Sequence, residues 1–284
     1  MNGIIIVDKD KNFTSRDVVN LVEKKLNCSR VGHAGTLDPI ATGVLVVALG
    51  DALKILEFIN DNDKEYIATA KIGLLTDTLD VTGKILKEEK KINITKEELE
   101  KVLNSFKGTY LQEVPLYSSV KVNGKRLYKY AREEKDVVLP KREVNIYNIE
   151  LLDFNDYEFT FKVNVSKGTY IRSLIRDIGD KINIPCVMKE LRRTRQGLFK
   201  IEDSVKIDDI DKDNLKIVSI EDAINDIKFI EVDSFLENKI LNGRILDNRY
   251  DKDIIGFKNK DRVLALYQVY DKDNNKIKPI KVFK

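Results

Sequence analysis

The sequence predicts an α+β protein, and three observations carry that assignment. Both periodicities occur. Apolar Val18, Val19, Leu21, Val22 and Leu26 fall at helical spacing, whereas Tyr66 to Ile72, Val144 to Leu152 and Glu158 to Val165 alternate. The order of the segments is neither a regular β-α-β alternation nor an all-β series. Hydrophobic residues make up 42% and charged residues 34% of 284, which supports a packed core and excludes a fully disordered chain.

Each element has its own local reason. Ile4 to Val7 reads as a short buried strand. Ser15 to Leu26 reads as a helix capped by Thr14 or Ser15. Val44 to Leu49 is an apolar run short enough for a buried strand, and Ala52 to Ile59 has a helical pattern. Thr95-Lys96-Glu97-Glu98 is a capping-box pattern that opens a helix expected to end near Gly108. The alternating segments around Asn155-Asp156 predict a hairpin. Ile171, Leu174, Ile175 and Ile178 share one helical face, and Gly179 is expected to end that helix. Arg262 to Tyr270 and Lys276 to Phe283 are β-like. They predict a small β-rich appendage beginning near residue 230, so the expected division is 1–229 and 230–284. No internal repeat or low-complexity segment occurs.

Composition excludes several functions. The cysteines are Cys28 and Cys186 alone, with no C-x-x-C, and His33 is the single histidine. A disulfide scaffold and a zinc site built on cysteines or several histidines are not expected. The longest apolar stretch, Val44 to Leu49, falls far short of the ~20 residues of a spanning helix. No signal-peptide pattern opens the chain, so a cytoplasmic protein without a membrane partner is expected. The net charge of +3 does not announce a nucleic-acid binder, but charge is placed unevenly. Lys121 to Arg142 holds eight basic and three acidic residues, Lys189 to Lys200 five and one, and Ile201 to Asp233 four and eleven. Any one such cluster reads as a solvated face. Two basic segments interleaved with Tyr117, Tyr128, Tyr130 and Phe199 favour RNA, because cations neutralise phosphate and aromatic rings stack on bases.

Three segments could carry chemistry. Gly32-His33-Ala34-Gly35-Thr36-Leu37-Asp38-Pro39-Ile40-Ala41-Thr42-Gly43 is dense in glycine and joins two buried-looking elements. Read alone it is a connecting loop with Asp38 as a turn residue, although long ordered loops are often functional. It is neither a Walker A nor a dinucleotide-binding motif. Ser166 to Arg172 lies where a strand ends and a helix begins. An arginine there opposes the helix dipole unless an anion faces it. Asp63-Lys64-Glu65-Tyr66 opens a strand, and read alone Tyr66 is a half-buried strand tyrosine. Asp77 and Asp80 could hold a metal, but on a turn they are more often solvated.

Together these segments resemble the TruB family of pseudouridine synthases. The stretch 32–45 resembles the family's catalytic signature, and Val7-Asp8-Lys9 with Thr14-Ser15 its N-terminal motif. Lys64-Glu65-Tyr66, Thr76 to Asp80 with Gly83, Tyr117 to Lys121, Gly124 to Tyr128, Lys167 to Arg172 and Leu191-Arg192-Arg193 follow in the family's order. The resemblance covers Gly3 to about Arg195. It implies a catalytic domain on a central mixed, mostly antiparallel sheet flanked by helices and loops, with a C-terminal PUA-like, β-rich RNA-binding unit. It also implies isomerisation of uridine at position 55 in the tRNA T loop, with no cofactor and no metal. Asp38 matches the nucleophilic aspartate, which attacks the sugar C1′ or the uracil C6. Tyr66 matches the tyrosine that stacks on the flipped base and assists proton removal at C5. Arg172 matches the arginine that pairs with the aspartate and keeps it ionised. His33 matches the histidine that fills the space left by the base, and Tyr170 and Leu191 match residues of the uracil pocket. Lys9, from the N-terminal motif, is a further candidate substrate contact. The segment from about 110 to 142 matches a mobile RNA-binding insertion. Candidate RNA contacts are Lys121, Lys125, Arg126, Lys129, Arg132, Arg192 and Arg193. The implied partner is the tRNA T stem-loop. Nothing in the sequence requires a protein partner or more than a monomer.

Lys9-Asp10-Lys11-Asn12 departs from the family's usual Lys-Pro-x-Gly, which predicts a looser loop and a less firmly placed Lys9. Ala34 stands where threonine is common. Two other readings compete. One is an RNA-binding or tRNA-folding chaperone on the same fold with weak or lost catalysis. The other is a metal-dependent phosphotransferase using Asp38, Asp77 and Asp80, which lacks a phosphate-binding loop.

Overall fold

Ten strands share one sheet in this computed structural model, which describes residues 1–60, 63–90, 93–250 and 252–283. Asp251 and Lys284 of the expected C-terminal unit lie outside the described residues. The strands are β1 (Gly3–Lys9), β2 (Val31–Ala34), β3 (Thr42–Leu49), β4 (Lys64–Ile72), β5 (Gly108–Glu113), β6 (Lys141–Phe154), β7 (Glu158–Val165), β8 (Cys186–Gln196), β9 (Phe199–Lys200) and β10 (Val205–Lys206). Their order is β10-β1-β3-β8-β4-β7-β6-β5, with β2 on β3 and β9 on β8. Only β1–β10 and β3–β8 pair in parallel, so the sheet is mixed and mostly antiparallel, as expected.

β1 reads Gly-Ile-Ile-Ile-Val-Asp-Lys and is buried throughout because both of its faces are covered. Ile5 and Val7 pack with Val18, Val19 and Val22 of helix α1 (Ser15–Leu26). Ile4 and Ile6 face the opposite core with Val44, Val46 and Phe199. Helix α1 starts at Thr14, whose hydroxyl accepts from the Asp17 N–H while the Asp17 carboxylate accepts from the Thr14 N–H. It is a reciprocal capping box at the expected position.

Helix α2 (Lys96–Asn104) is capped by Thr95 and Glu98 as expected, but it ends at Ser105, short of Gly108. The stretch 52–59 is a 3₁₀ turn over Gly50–Ile55 followed by one α turn, Leu56–Asn60. Residues 121–126 form a two-stranded turn leading into helix α3 (Leu127–Arg132). Helix α4 (Ile171–Ile182) runs through Gly179 and ends at Asn183 in the left-handed region. Gly179 is there for packing. A Cβ would sit 2.8 Å from the Ile184 carbonyl oxygen and 2.9 Å from the Cys186 nitrogen.

A second sheet holds β11 (Lys228–Glu231), β12 (Leu246–Asp247), β13 (Ile254–Asn259), β14 (Arg262–Tyr270) and β15 (Asp273–Val282), in the order β11-β13-β14-β15-β12. With helix α5 (Ser234–Leu241) it encloses its own core around Phe257, Tyr267 and Ile240. Leu266 and Phe283 leave that core and pack with Ile4 and Val46, on the face of β1 and β3 away from α1. Among the described residues no helix is long and apolar enough to cross a membrane.

Candidate active site

The segment after β2 carries Asp38 and is tied down from three sides. The Lys9 ammonium donates to the carbonyls of Phe13 (2.7 Å), Asp10 (3.0 Å) and Pro39 (3.3 Å). The Ser15 hydroxyl accepts from the Leu37 N–H at 2.9 Å. The Arg193 guanidinium donates to the Gly35 carbonyl at 2.9 Å. Gly35 itself has φ +74°, a conformation that favours glycine.

Two expectations about Lys9 are corrected here. It is fully buried and is absent from the cleft wall, so it holds the loop rather than the substrate. The loop is also not loosened by its departures. Asn12, at the glycine position, has φ +72°, which asparagine tolerates. Its N–H bonds the Pro39 carbonyl at 2.8 Å, and Asp10, at the proline position, bonds Lys206 at 2.8 Å. Burial pushes the Lys9 ammonium down to about 8.

Arg172, second residue of α4, meets Asp38 across 134 residues of chain. Its Nε donates to Oδ2 at 2.9 Å and its Nη2 to Oδ1 at 3.1 Å, a bidentate pair. Nη1 reaches the Thr78 carbonyl and Nη2 the Tyr117 carbonyl, both at 3.0 Å. The arginine side chain is 6% exposed and the aspartate 35%. The cation is therefore enclosed and the carboxylate looks outward. The anion also answers the charge that the start of α4 would otherwise repel.

That carboxylate stands in the wall of a cleft of about 460 Å³. Tyr66, Tyr170, Leu191, Lys64, Tyr117, Ser118, Tyr128 and Arg193 line it as well. Tyr66 projects from β4 directly opposite Arg193 of β8. Tyr170 caps the start of α4, and burial holds its phenol above the ordinary value. The sequence brought Asp38, Arg172, Tyr66, Tyr170 and Leu191 forward, and the fold gathers all five. It did not single out Ser118, which enters from the insertion with Tyr128, nor a role for Lys64.

His33 is half-buried on β2 and is not part of the cleft wall. Its Nδ1 is buried without a partner. Burial, then the charges of Arg16 and Arg193, hold the imidazole below its usual value. Asp77 accepts from the Lys84 N–H and the Tyr117 hydroxyl, and Asp80 from Thr78 and Thr82, so both carboxylates serve turns. Among the described residues no three metal-ligating side chains come together.

The basic segments divide. Lys121, Arg126, Lys129 and Arg132 are exposed on the insertion, with Arg132 over the Tyr128 ring at 5.5 Å. Lys125 is partly buried, paired with Glu133 and stacked on Tyr130. In the second segment Arg193 is corrected. Arg193 is fully buried, donating to the Val44 carbonyl at 2.6 Å and to Gly35, and offers no charge to a phosphate. Arg192 grips both Asp8 oxygens at 3.1 and 3.0 Å, Arg195 pairs with Asp63 and Lys189 with Glu158. These cations neutralise acids of the fold itself.

Residues 23–171 match the model of the TruB family pseudouridylate synthase N-terminal domain. Residues 172–226 match the model of the tRNA pseudouridylate synthase B C-terminal domain. The tRNA pseudouridine synthase B of Clostridium tetani is 45% identical over 94% of this chain and 96% of its own length. That of Staphylococcus aureus is 41% identical over 99% of both. A solved H/ACA ribonucleoprotein bound to a substrate RNA containing 2′-deoxyuridine superposes with a TM-score of 0.72 at 25% identity. That similarity covers 99% of this chain and 85% of the other. The chain belongs to the TruB family of pseudouridylate synthases, which are isomerases.

Proposed function

We propose that this isomerase converts the uridine at position 55 in the tRNA T loop to pseudouridine, with Asp38 as its nucleophile. The observation that carries the reading is the bidentate Arg172–Asp38 pair beside Tyr66 in one cleft. The names of the bacterial relatives support tRNA as the substrate. A base inside a folded loop must leave its stack before its glycosidic bond is reachable. The uracil enters the cleft between Tyr66 and Leu191, and His33 takes the space it leaves in the loop. Asp38, aimed by Arg172, attacks the sugar C1′ or the uracil C6. The N1–C1′ bond breaks, the ring turns, C5 bonds to C1′, and the bond to Asp38 breaks to return its carboxylate. The C5 proton is lost with help from Tyr66, and N1 gains a proton. No electrons enter or leave, so the scheme uses no cofactor or metal.

The exposed cations of the insertion carry the T-arm phosphates. The division is a catalytic unit over 1–229 and a PUA-like RNA-binding unit over 230–284, acting as a cytoplasmic monomer without an obligate protein partner. The test is incubation with an unmodified T stem-loop RNA in excess EDTA, digestion and chromatography for pseudouridine. Product at the one T-loop position is expected. RNA that is bound but unchanged would replace this reading with the chaperone one.

A further inference from the structure

Gln112 lies on edge strand β5 and is 1% exposed. Its Oε1 accepts from the Tyr170 N–H at 2.8 Å, and its Nε2 donates to the Tyr170 carbonyl at 3.1 Å. One side-chain amide thus meets both polar backbone groups of one residue, as a neighbouring strand would. Tyr170 is the N-cap of α4 and makes no side-chain cap. The N–H groups at a helix start have no partner within the helix. In a capping box the third helical residue supplies the acceptor for the N-cap N–H. Here that residue is Ser173, whose hydroxyl donates instead to the Glu113 carbonyl at 2.8 Å. Gln112 supplies the missing acceptor from another element.

The amide cannot turn over without loss. Nε2 also donates to the Tyr110 hydroxyl on the same strand. The Gln112–Tyr170 pair and the Arg176–Glu113 ion pair at 3.0 Å fix α4 against β5 at two places. Just beyond Gln112, the Val114 N–H bonds the Pro140 carbonyl at 3.0 Å, closing the base of the insertion.

We propose that Gln112 is a positioning residue for pseudouridine formation: it sets the Tyr170 ring in the cleft and, through the first turn of α4, the aim of Arg172 at Asp38. The inference rests on the function proposed above.

The test compares Gln112→Leu, Gln112→Glu and Ser173→Ala with the wild type. Ser173→Ala removes a bond between the same two elements without touching Tyr170. With saturating T stem-loop, Gln112→Leu should lower kcat by roughly 10- to 100-fold, as a small misplacement of reacting groups does. Its KM and RNA affinity should stay within about threefold, since phosphate contacts carry the affinity. Gln112→Glu keeps the acceptor for the Tyr170 N–H and should fall between the two. Ser173→Ala should lower the melting temperature and keep kcat within about twofold. In the RNA-free protein, the Tyr170 amide should exchange hydrogen faster in Gln112→Leu and not in Ser173→Ala.

A Gln112→Leu enzyme with wild-type kcat overturns the role. So does a kcat loss that Ser173→Ala reproduces at equal loss of stability. If Gln112→Leu does not fold, Gln112→Glu decides, and unchanged kcat and unchanged exchange at Tyr170 overturn the proposal. A wild type that makes no pseudouridine defeats the function instead, while hydrogen exchange still tells whether Gln112 holds Tyr170.

Discussion

Arg172 donates two hydrogen bonds to Asp38 and one each to the carbonyls of Thr78 and Tyr117. A planar fork with fixed donors can satisfy that set, and a lysine cannot. The aspartate it presents gives the first prediction. Asp38→Asn should abolish turnover and bind the T stem-loop within about threefold of wild type, by filter binding at fixed salt. Turnover within about tenfold, a barrier change of about 1.4 kcal/mol or less, would remove Asp38 as the nucleophile. His33 gives a pH prediction. Its folded-state value lies below the ordinary 6.5, so the native protein holds the imidazole uncharged. The stability this contributes is fully present above 6.5 and is lost as the pH falls through the folded value. Urea midpoints of wild type and His33→Phe should therefore keep a constant difference above about pH 7.5, then move against the wild type below about pH 6. Parallel curves down to about pH 4.5 would contradict the assignment.

At the scale of elements, the insertion brings both walls and charges. Tyr117, Ser118 and Tyr128 face the cleft, while Lys121, Arg126, Lys129 and Arg132 face solvent. Replacing Arg126 and Lys129 together by alanine should weaken T stem-loop binding and flatten its log–log salt dependence by about 2, roughly one unit per phosphate contact. The rate at saturation should hardly change; an unaltered salt slope would place the phosphates elsewhere. These elements also show what the sequence makes legible. The strands β1, β3, β4, β6 and β7 and the helix α1 carry clean periodicity or caps, and each was expected. Strand β8 was not, because its Lys189, Glu190, Arg192, Arg193 and Arg195 break the alternation. Their partners, Glu158, Asp8 and Asp63, come from strands and loops far away in the chain. For the same reason Lys9 and Arg193 read as exposed cations when both are buried. A charged residue is solvated by default, and only acceptors gathered by the fold reverse that. Asp38, Arg172 and Tyr66 were legible because rare residue types recur in ordered motifs. Gln112 gives no such sign, since a glutamine in a strand is ordinary.

At the scale of the whole molecule, the two large sheets share an apolar seam. Leu266 and Phe283 of the C-terminal part pack with Ile4 and Val46 of the catalytic sheet, so neither sheet loses its fold without exposing the other. Phe283→Ala should lower stability by about 3 kcal/mol, within the usual range for a buried phenylalanine. Urea unfolding followed by tyrosine fluorescence and by far-UV dichroism should still coincide in one transition; separate transitions would show the sheets to be independent. The order of strands has a further consequence, for the birth of the chain. Strands β3 and β4 are neighbours in sequence but never touch, because β8 is threaded between them. Until the ribosome has released Gln196, β4 has a bare edge waiting for a strand not yet made, whereas on β3 the earlier strand β2 already covers Val46 to Leu49 and only Thr42 and Gly43 wait. Such edges are templates for pairing with other chains. A nascent polypeptide of this fold therefore carries that open edge from Ile72 until Gln196, and its active site, which joins residues 38 and 172, comes into being only in the second half of synthesis.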